Sequence, residues 1–306
     1  LIAKSDEMTF KQIEAFYWAA TLASFSLAAE RLHLSQSSLS KRLAELEAQL
    51  GKPLFDRSGH RASLTTAGQT FLPLARKLLC TVDEVRESMA DTPVVKGVCR
   101  FGMGELAALS WLPQFVARAR QLYPELVLEP RIDMGRVLEE KVESGELDFA
   151  VVAGTSRRGA ITSHAIRDVN FLWGAAPVLV GSRREITSEL LVQVAVITMP
   201  SDAGSAREFD DWLVKTERVV DRRLECNNLA AIAGMVVAGV GISFLPEAWV
   251  RQLAARGHVV VMECRPPLPP LSYSFQARRD DIRPLVRQMR QLVSEVADFG
   301  LPNRML

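Results

Sequence analysis

The sequence predicts an α/β chain in three parts: a small helical head, one long helix, and a larger region of alternating strands and helices. Three observations predict it. Apolar residues recur at helical spacing from Phe10 to Met89, the pattern changes at Gly97, and from there short apolar runs alternate with amphipathic stretches to the C-terminus. Alternation of this kind indicates α/β layers with a mostly parallel sheet. The alternating region is long for one sheet, so two lobes are expected.

In the head, Thr9 to Thr21 reads as a helix with Phe10, Ile13, Phe16 and Tyr17 on one stripe. Ser24-Phe25-Ser26 supplies cap chemistry for a second helix, whose apolar face is Ala28, Ala29 and Leu32. Leu34-Ser35 turns the chain, and Ser35 caps a third helix that carries Leu39, Leu43, Leu46 and Leu50 inward. Gly51 follows where a helix end wants a left-handed residue. Pro53 to Leu64 has apolar ends around a Ser-Gly tip, predicting a short hairpin or wing. Thr65 caps a long helix to Glu87 with Phe71, Leu74, Leu78, Val82, Val85 and Met89 on one stripe. Pro73 removes a backbone donor inside it and predicts a bend, and Asp91-Thr92-Pro93 reads as a linker.

Beyond Gly97, strands are expected at Val98 to Met103, Val127 to Asp133, Leu147 to Val152, Val194 to Met199, Gly241 to Phe244 and Leu271 to Phe275. Helices are expected at Leu106 to Leu122, Arg136 to Ser144, Arg207 to Leu213, Leu229 to Ala238 and Asp281 to Phe299.

Composition narrows the function. The 306 residues are 48% apolar and 24% charged, an ordinary globular balance that excludes disorder and collagen-like fibres. Lys plus Arg number 37 against 36 Asp plus Glu, a net charge of +1, so any nucleic-acid site is local rather than a global basic coat. No apolar run approaches the roughly 20 residues that span a bilayer. Ala230 to Val240 is too short and is broken by Gly234 and Gly239. Leu1 to Glu7 lacks the apolar core of a secretory signal and reads as vector-derived, with Met8 as the natural start. Cys80, Cys99, Cys226 and Cys264 show no short paired spacing; they read as reduced thiols of a cytoplasmic protein, neither a disulfide frame nor a zinc site.

The most informative stretch is Ala29 to Arg57. Two short helices joined by a turn are the layout of a helix-turn-helix, whose second helix enters the major groove N-terminus first. Its N-terminus carries Ser35, Gln36, Ser37, Ser38 and Ser40, then the cations Lys41 and Arg42. Gln pairs bidentately with adenine, Ser contacts base edges or phosphate, and a helix N-terminus attracts phosphate. Five cations face three acids from Ser35 to Arg61. The bland alternative is a surface helix with solvated serines.

The full spacing resembles the winged helix-turn-helix of LysR-type transcriptional regulators. It is carried by Ala29, Leu32, Ser35-Gln36, Leu39-Ser40, Leu43, Leu46-Glu47, Leu50-Gly51, Leu54-Phe55, Arg57, Leu64-Thr65 and Ala67-Gly68. The match is nearly gapless from Phe10 to Leu79. Gly145-Glu146-Leu147-Asp148-Phe149-Ala150 and the run Val236 to Pro246 resemble the family's two effector lobes; Thr155 to Gln193 fits more loosely. The resemblance implies a DNA-binding domain at residues 8–64, a linker and dimerisation helix with hinge at 65–95, a first lobe at 96–166 and 268–300, and a second at 167–267. The lobes resemble periplasmic-type binding folds. By the same resemblance, Gln36, Ser37, Ser40 and Lys41 match the base- and phosphate-contacting positions, and Arg57 matches the wing arginine. Arg42 and Arg61 join them on charge alone. Many members have Pro where this chain has Ser37. The implied partners are a double-stranded DNA operator, a second copy (then a tetramer), a small-molecule effector and RNA polymerase, with no membrane and no cofactor.

Family ligand segments point to Met103-Gly104-Glu105, Met134-Gly135-Arg136, Pro200-Ser201-Asp202 and Asn227-Asn228. Where many members offer Ser or Thr after the first strand, this chain has Gly104-Glu105. Arg136 would clamp a carboxylate, Glu105 would repel one or bind a cation, and an internal Glu105–Arg136 pair is equally open. Structural roles compete at each site: Asn227 and Asn228 as helix caps, Ser201 and Asp202 as an ordinary loop. Gly239 and Gly241 read as tight backbone geometry, and Cys226 reads as a buried structural thiol rather than a reactive one. An enzyme is a poor rival, because Ser201 and Asp202 with a histidine lack a nucleophile elbow. A solute-binding protein suits the two lobes but not the winged head.

Overall fold

The computed structural model describes residues 8–56, 63–88, 95–281 and 283–300. Leu1 to Glu7, the wing tip with Arg57 and Arg61, Met89 and the Asp91-Thr92-Pro93 linker lie outside the described residues. The chain divides into two compact units, one built mainly from the chain up to Val95, with Ser144–Glu146 and Asp281–Arg287 grouped with it, and the other from the remainder beginning at Lys96.

The first unit comprises α1 (Phe10–Leu22), α2 (Phe25–Arg31), α3 (Gln36–Leu50), β1 (Phe55–Asp56), β2 (Ser63–Leu64) and α4 (Thr66–Ser88). Each of the first three helices starts on the hydroxyl the sequence offers. Thr9 and Gln12 form a reciprocal capping box, Ser24 accepts from Leu27 N, and Ser35 accepts from Ser38 N at 3.1 Å. Gly51 ends α3 in the left-handed region at φ 66°. The inward residues Phe16, Leu39, Leu43 and Leu46 are fully buried, and Phe16 packs on Phe55 and Phe71 at 5.5 and 4.9 Å between ring centroids. The stripe on α4 divides between two faces. Ala75 and Leu79 are buried in the head's core with Phe71 packed against it, whereas Leu74 and Leu78 are 54% and 42% exposed.

The second unit holds β3 (Gly97–Met103), α5 (Glu105–Ser110), α6 (Leu112–Leu122), β4 (Leu126–Ile132), α7 (Gly135–Glu143), β5 (Phe149–Ala153) and β6 (Ile161–Val169). It continues with β7 (Phe171–Ala175), α8 (Pro177–Val180), α9 (Ser188–Gln193), β8 (Val196–Thr198), α10 (Gly204–Thr216), β9 (Arg223–Glu225) and α11 (Leu229–Val237). After these come β10 (Ser243–Pro246), α12 (Glu247–Ala255), β11 (Val260–Met262), β12 (Leu271–Arg278) and α13 (Pro284–Val296). A five-stranded sheet runs β4-β3-β5-β12-β6, a three-stranded sheet β10-β7-β11, and β8 pairs with β9. The chain leaves the first sheet after Val169 and returns at Leu271, so two lobes form within this unit.

Two expectations are corrected. The sheets are mixed rather than mostly parallel: β3 runs parallel to β4 and β5, but β12 is antiparallel to both β5 and β6, and β7 to both its partners. The returning strand β12 enters the sheet from the second lobe, without a crossover helix to reverse its direction. The single helix Leu106 to Leu122 is two, broken at Trp111. Pro113 has no N–H to continue the ladder and is suited instead to the first turn of a new helix. Among the described residues no helix is long and apolar enough to cross a membrane.

Candidate nucleic-acid interface and effector cleft

The helix-turn-helix is α2, a turn through His33 and Leu34, and α3. Ser35, Gln36, Ser37, Ser38, Ser40 and Lys41 are all exposed at the start of α3, and Arg42 is half-buried. The Ser35 hydroxyl bonds those of Ser37 and Ser38 at 2.9 and 2.8 Å, while Leu39 behind them is fully buried. Gln36, Ser40, Lys41 and Arg42 have no side-chain hydrogen bond or ion pair among the described residues. A rigid, capped helix therefore presents polar groups whose bonding capacity is unspent, as base-edge and phosphate readout requires.

The wing is fastened to this helix by Glu47, whose Oε1 accepts from Leu54 N at 2.8 Å and Phe55 N at 3.1 Å. Thr65 caps α4 by accepting from Gly68 N at 3.1 Å and donates to Pro53 O at 2.7 Å. Phe55 and Asp56 then pair antiparallel with Leu64 and Ser63. Glu47→Ala strands two backbone donors and is expected to lower stability by about 1–3 kcal/mol. Glu47→Gln keeps the acceptor oxygen and is expected to lose less than half of that; urea unfolding of the two variants checks the order.

In the second unit, a cavity of about 600 Å³ opens at the C-terminal ends of β3, β4 and β5, against the N-terminal ends of α5, α7, α10 and α11. Its size suits a small organic molecule. Of the residues singled out from sequence, Gly104, Glu105, Met134, Gly135, Asp202, Asn227 and Asn228 line it. Arg136 and Ser201 do not. Arg136 is 60% exposed and turned to carboxylates of its own chain, Glu140 at 3.0 Å and Asp202 at 3.6 Å, which is why it is no clamp inside the cavity. Glu105 does not pair with Arg136: it accepts instead from Leu229 N and Ala230 N at the start of α11. Asn228 does cap that helix, accepting from Ala231 N at 2.7 Å, and lines the cavity as well.

Sequence reasoning missed Phe171, Met199, Leu271 and Tyr273, which form cavity wall. The alternation of Leu271 and Tyr273 on one face of a strand was the available signal. Cys226 is half-buried rather than buried, because it lies on the short connection between β9 and α11, and its Sγ lies 3.7 Å from Asn228 O. Gly239 has φ 74°, and a Cβ on Gly241 would come within 2.4 Å of Ala195 O, so both glycines serve tight backbone geometry.

A capped helix-turn-helix with a wing, joined in one chain to a two-lobed α/β unit with a ligand-sized cleft, defines an effector-controlled DNA-binding transcriptional regulator. Sequence profiles agree: residues 10–69 match the bacterial regulatory helix-turn-helix protein, lysR family, and residues 94–298 match the LysR substrate binding domain. The chain belongs to the LysR family. It is 27% identical over 295 residues to the HTH-type transcriptional regulator CzcR of Bacillus subtilis, covering 95% of this chain and 98% of that one. It is 28% identical over 268 residues to the regulator YofA of Bacillus velezensis, covering 88% and 91%. Its fold is similar to a full-length OxyR variant from Pseudomonas aeruginosa, with TM-score 0.63, 22% identity and 96% of each chain covered. It is also similar to ArgP from Mycobacterium tuberculosis, with TM-score 0.61, 21% identity and 95% and 98% covered.

Proposed function

We propose that this chain binds a specific operator through the N-terminal end of α3 and that a small molecule in the cleft sets its activity. The observation that carries the reading is the exposed set Gln36, Ser40 and Lys41 on a helix fixed from behind by Leu39, Leu43 and Leu46. Gln36, Ser37 and Ser40 read base edges, Ser35 and Ser38 hold the helix end, and Lys41 and Arg42 meet phosphate. Arg57, which matches the family's wing arginine, contacts the DNA backbone or minor groove, and Arg61 joins it on charge alone.

Two copies pair through the outward face of α4, placing two recognition helices about 34 Å apart on an inverted repeat. Tetramers form by further contacts of the α/β units, and the assembly works in the cytoplasm, where it meets RNA polymerase at the promoter. The cleft residues Gly104, Glu105, Met134, Gly135, Asp202, Asn227 and Asn228 contact the effector. An effector with unequal affinity for two lobe arrangements shifts their populations, and hence the geometry of the DNA-binding pair.

Fluorescence anisotropy against the promoter beside the chain's own gene, with a scrambled duplex at the same salt, tests the reading. A preference of about 10³-fold or more is expected. Gln36→Ala is expected to cost about 1–3 kcal/mol on the operator and to relax its sequence preference. Lys41→Ala should weaken both duplexes alike and flatten the salt dependence. Equal loss of specificity from the two changes would sink this division of roles, and no binding to either duplex at low salt would sink the regulator itself.

A further inference from the structure

One of the helix N-termini that line the cleft is already occupied by a negative charge. α11 starts at Leu229, and Asn228 satisfies Ala231 N. The two remaining first-turn donors, Leu229 N and Ala230 N, point at the Glu105 carboxylate, 2.5 Å to Oε2 and 3.4 Å to Oε1. Glu105 belongs to the first turn of α5 in the opposite lobe. It therefore fills the place where a helix end would otherwise receive an anion from a ligand. The lobes also meet closely at a second point. A Cβ on Gly204, at the start of α10, would lie 2.9 Å from Ala153 Cβ and 3.3 Å from Ala153 O at the end of β5.

The rest of the cavity's polar equipment suits a cation. Tyr273 on β12 is 6% exposed, lines the cavity, and its hydroxyl makes no hydrogen bond among the described residues. Burial, then the charge of Glu105, pushes its pKa above the ordinary tyrosine range, so the phenol stays neutral. Asp133 and Asp202 add carboxylates to the wall, with Arg131 at 3.8 Å from the first and Arg136 at 3.6 Å from the second. Arg207, the one Lys or Arg of the lining among the described residues, is exposed. Leu109, Leu112, Met134 and Phe171 make the wall largely apolar.

We propose that Glu105 is a tethered anion that holds the two lobes together, and that the cavity beside it selects an apolar-bodied molecule with a positively charged amino group, not a carboxylate. The proposal rests on the reading of this cleft as the effector site. A carboxylate has about four lone-pair positions, and the two amides use two, which leaves acceptor capacity for an ammonium. The Tyr273 hydroxyl oxygen is a further acceptor. An incoming carboxylate would find the end of α11 taken by Glu105 and the wall carrying four carboxylates, those of Glu105, Asp133, Glu139 and Asp202, against the single cation Arg207 among the described lining residues.

The test uses the full chain, with hexylamine and benzylamine against hexanoate and benzoate at equal ionic strength, read by calorimetry and by melting midpoint. The wild type is expected to bind the amines saturably and to ignore the carboxylates. Glu105→Ala is expected to lose at least tenfold in amine affinity and to gain a melting shift from the carboxylates, which enter the vacated helix end. Glu105→Gln, which keeps the shape and one acceptor without the charge, should stay folded and lose the amine preference, so a misfolded alanine variant does not decide the matter. Carboxylates that bind wild type as tightly as Glu105→Ala would overturn the ligand class alone. No response to any of the four probes in any of the three proteins would overturn it together with the effector reading, while the operator titration reports separately on DNA binding.

Discussion

Gly68→Ala is expected to destabilise the DNA-binding unit by about 1–3 kcal/mol, in spite of alanine's better helix propensity. Gly68 lies in the first turn of α4, and a Cβ there would stand 2.2 Å from Leu54 O and 2.9 Å from Leu64 Cδ2. The carbonyl cannot simply retreat, because it accepts from Thr65 N at 3.0 Å and belongs to the strand entry that Glu47 fastens. The roughly 1 kcal/mol gained in propensity is therefore outweighed by strain in two backbone segments. Gly234→Ala is the matched control, since Gly234 is in the middle of α11 with nothing within 4 Å of its added Cβ. That change is expected to stabilise by about 0.5–1 kcal/mol. Chemical unfolding of both variants checks the opposite signs. Because the clash displaces the wing's attachment, Gly68→Ala should also weaken operator binding more than tenfold in the anisotropy titration, and an unchanged midpoint would contradict the packing described.

The head was legible from sequence because its signals are local. Thr9, Ser24 and Ser35 cap where they stand, Gly51 stops α3, and Leu39, Leu43 and Leu46 fall inward at helical spacing, whereas Leu50, expected inward with them, is 37% exposed because it is the last residue of the helix, beside the Gly51 turn. The second unit was less so. Periodicity shows that a segment is a strand but carries no information on its neighbour, so the antiparallel place of β12 beside β5 stayed invisible. β6, β7, β9 and β11 have no counterpart among the expected strands: β6 alternates weakly, and β9 and β11 have three residues each. The cleft shows the same division. Glu105 stands out for its departure from family habit, yet its partners lie 124 and 125 residues on, and only the folded chain brings them together. Arg136 lies outside the cavity lining for the complementary reason, since Glu140 one turn further along α7 already competes for it.

The double change Leu74→Glu with Leu78→Glu is expected to convert a dimer into a monomer and to lower operator affinity by about 10²-fold or more. The two leucines are four apart on α4, so they share one helical face, and both are substantially exposed. Burying such side chains against a second copy is worth about 1.5–3 kcal/mol for each one fully covered, counted on both subunits. Four carboxylates forced together would reverse that gain. The fold of the head should survive, because its core draws on a different face of α4, about 100° round the helix, through Ala75 and Leu79, which are 0% and 7% exposed. Leu79→Glu is the contrasting variant: it places a charge in that core and should unfold the head rather than separate the copies. Light scattering at micromolar concentration distinguishes the two outcomes, and near-native circular dichroism of the double variant confirms that only association was lost. The loss on DNA follows from geometry, since a monomer reads one half-site and forgoes the effective concentration that a joined second helix brings to the other. A dimer that survives four added charges would move the pairing surface off α4, and the spacing of the operator's half-sites would then have to be set by the α/β units.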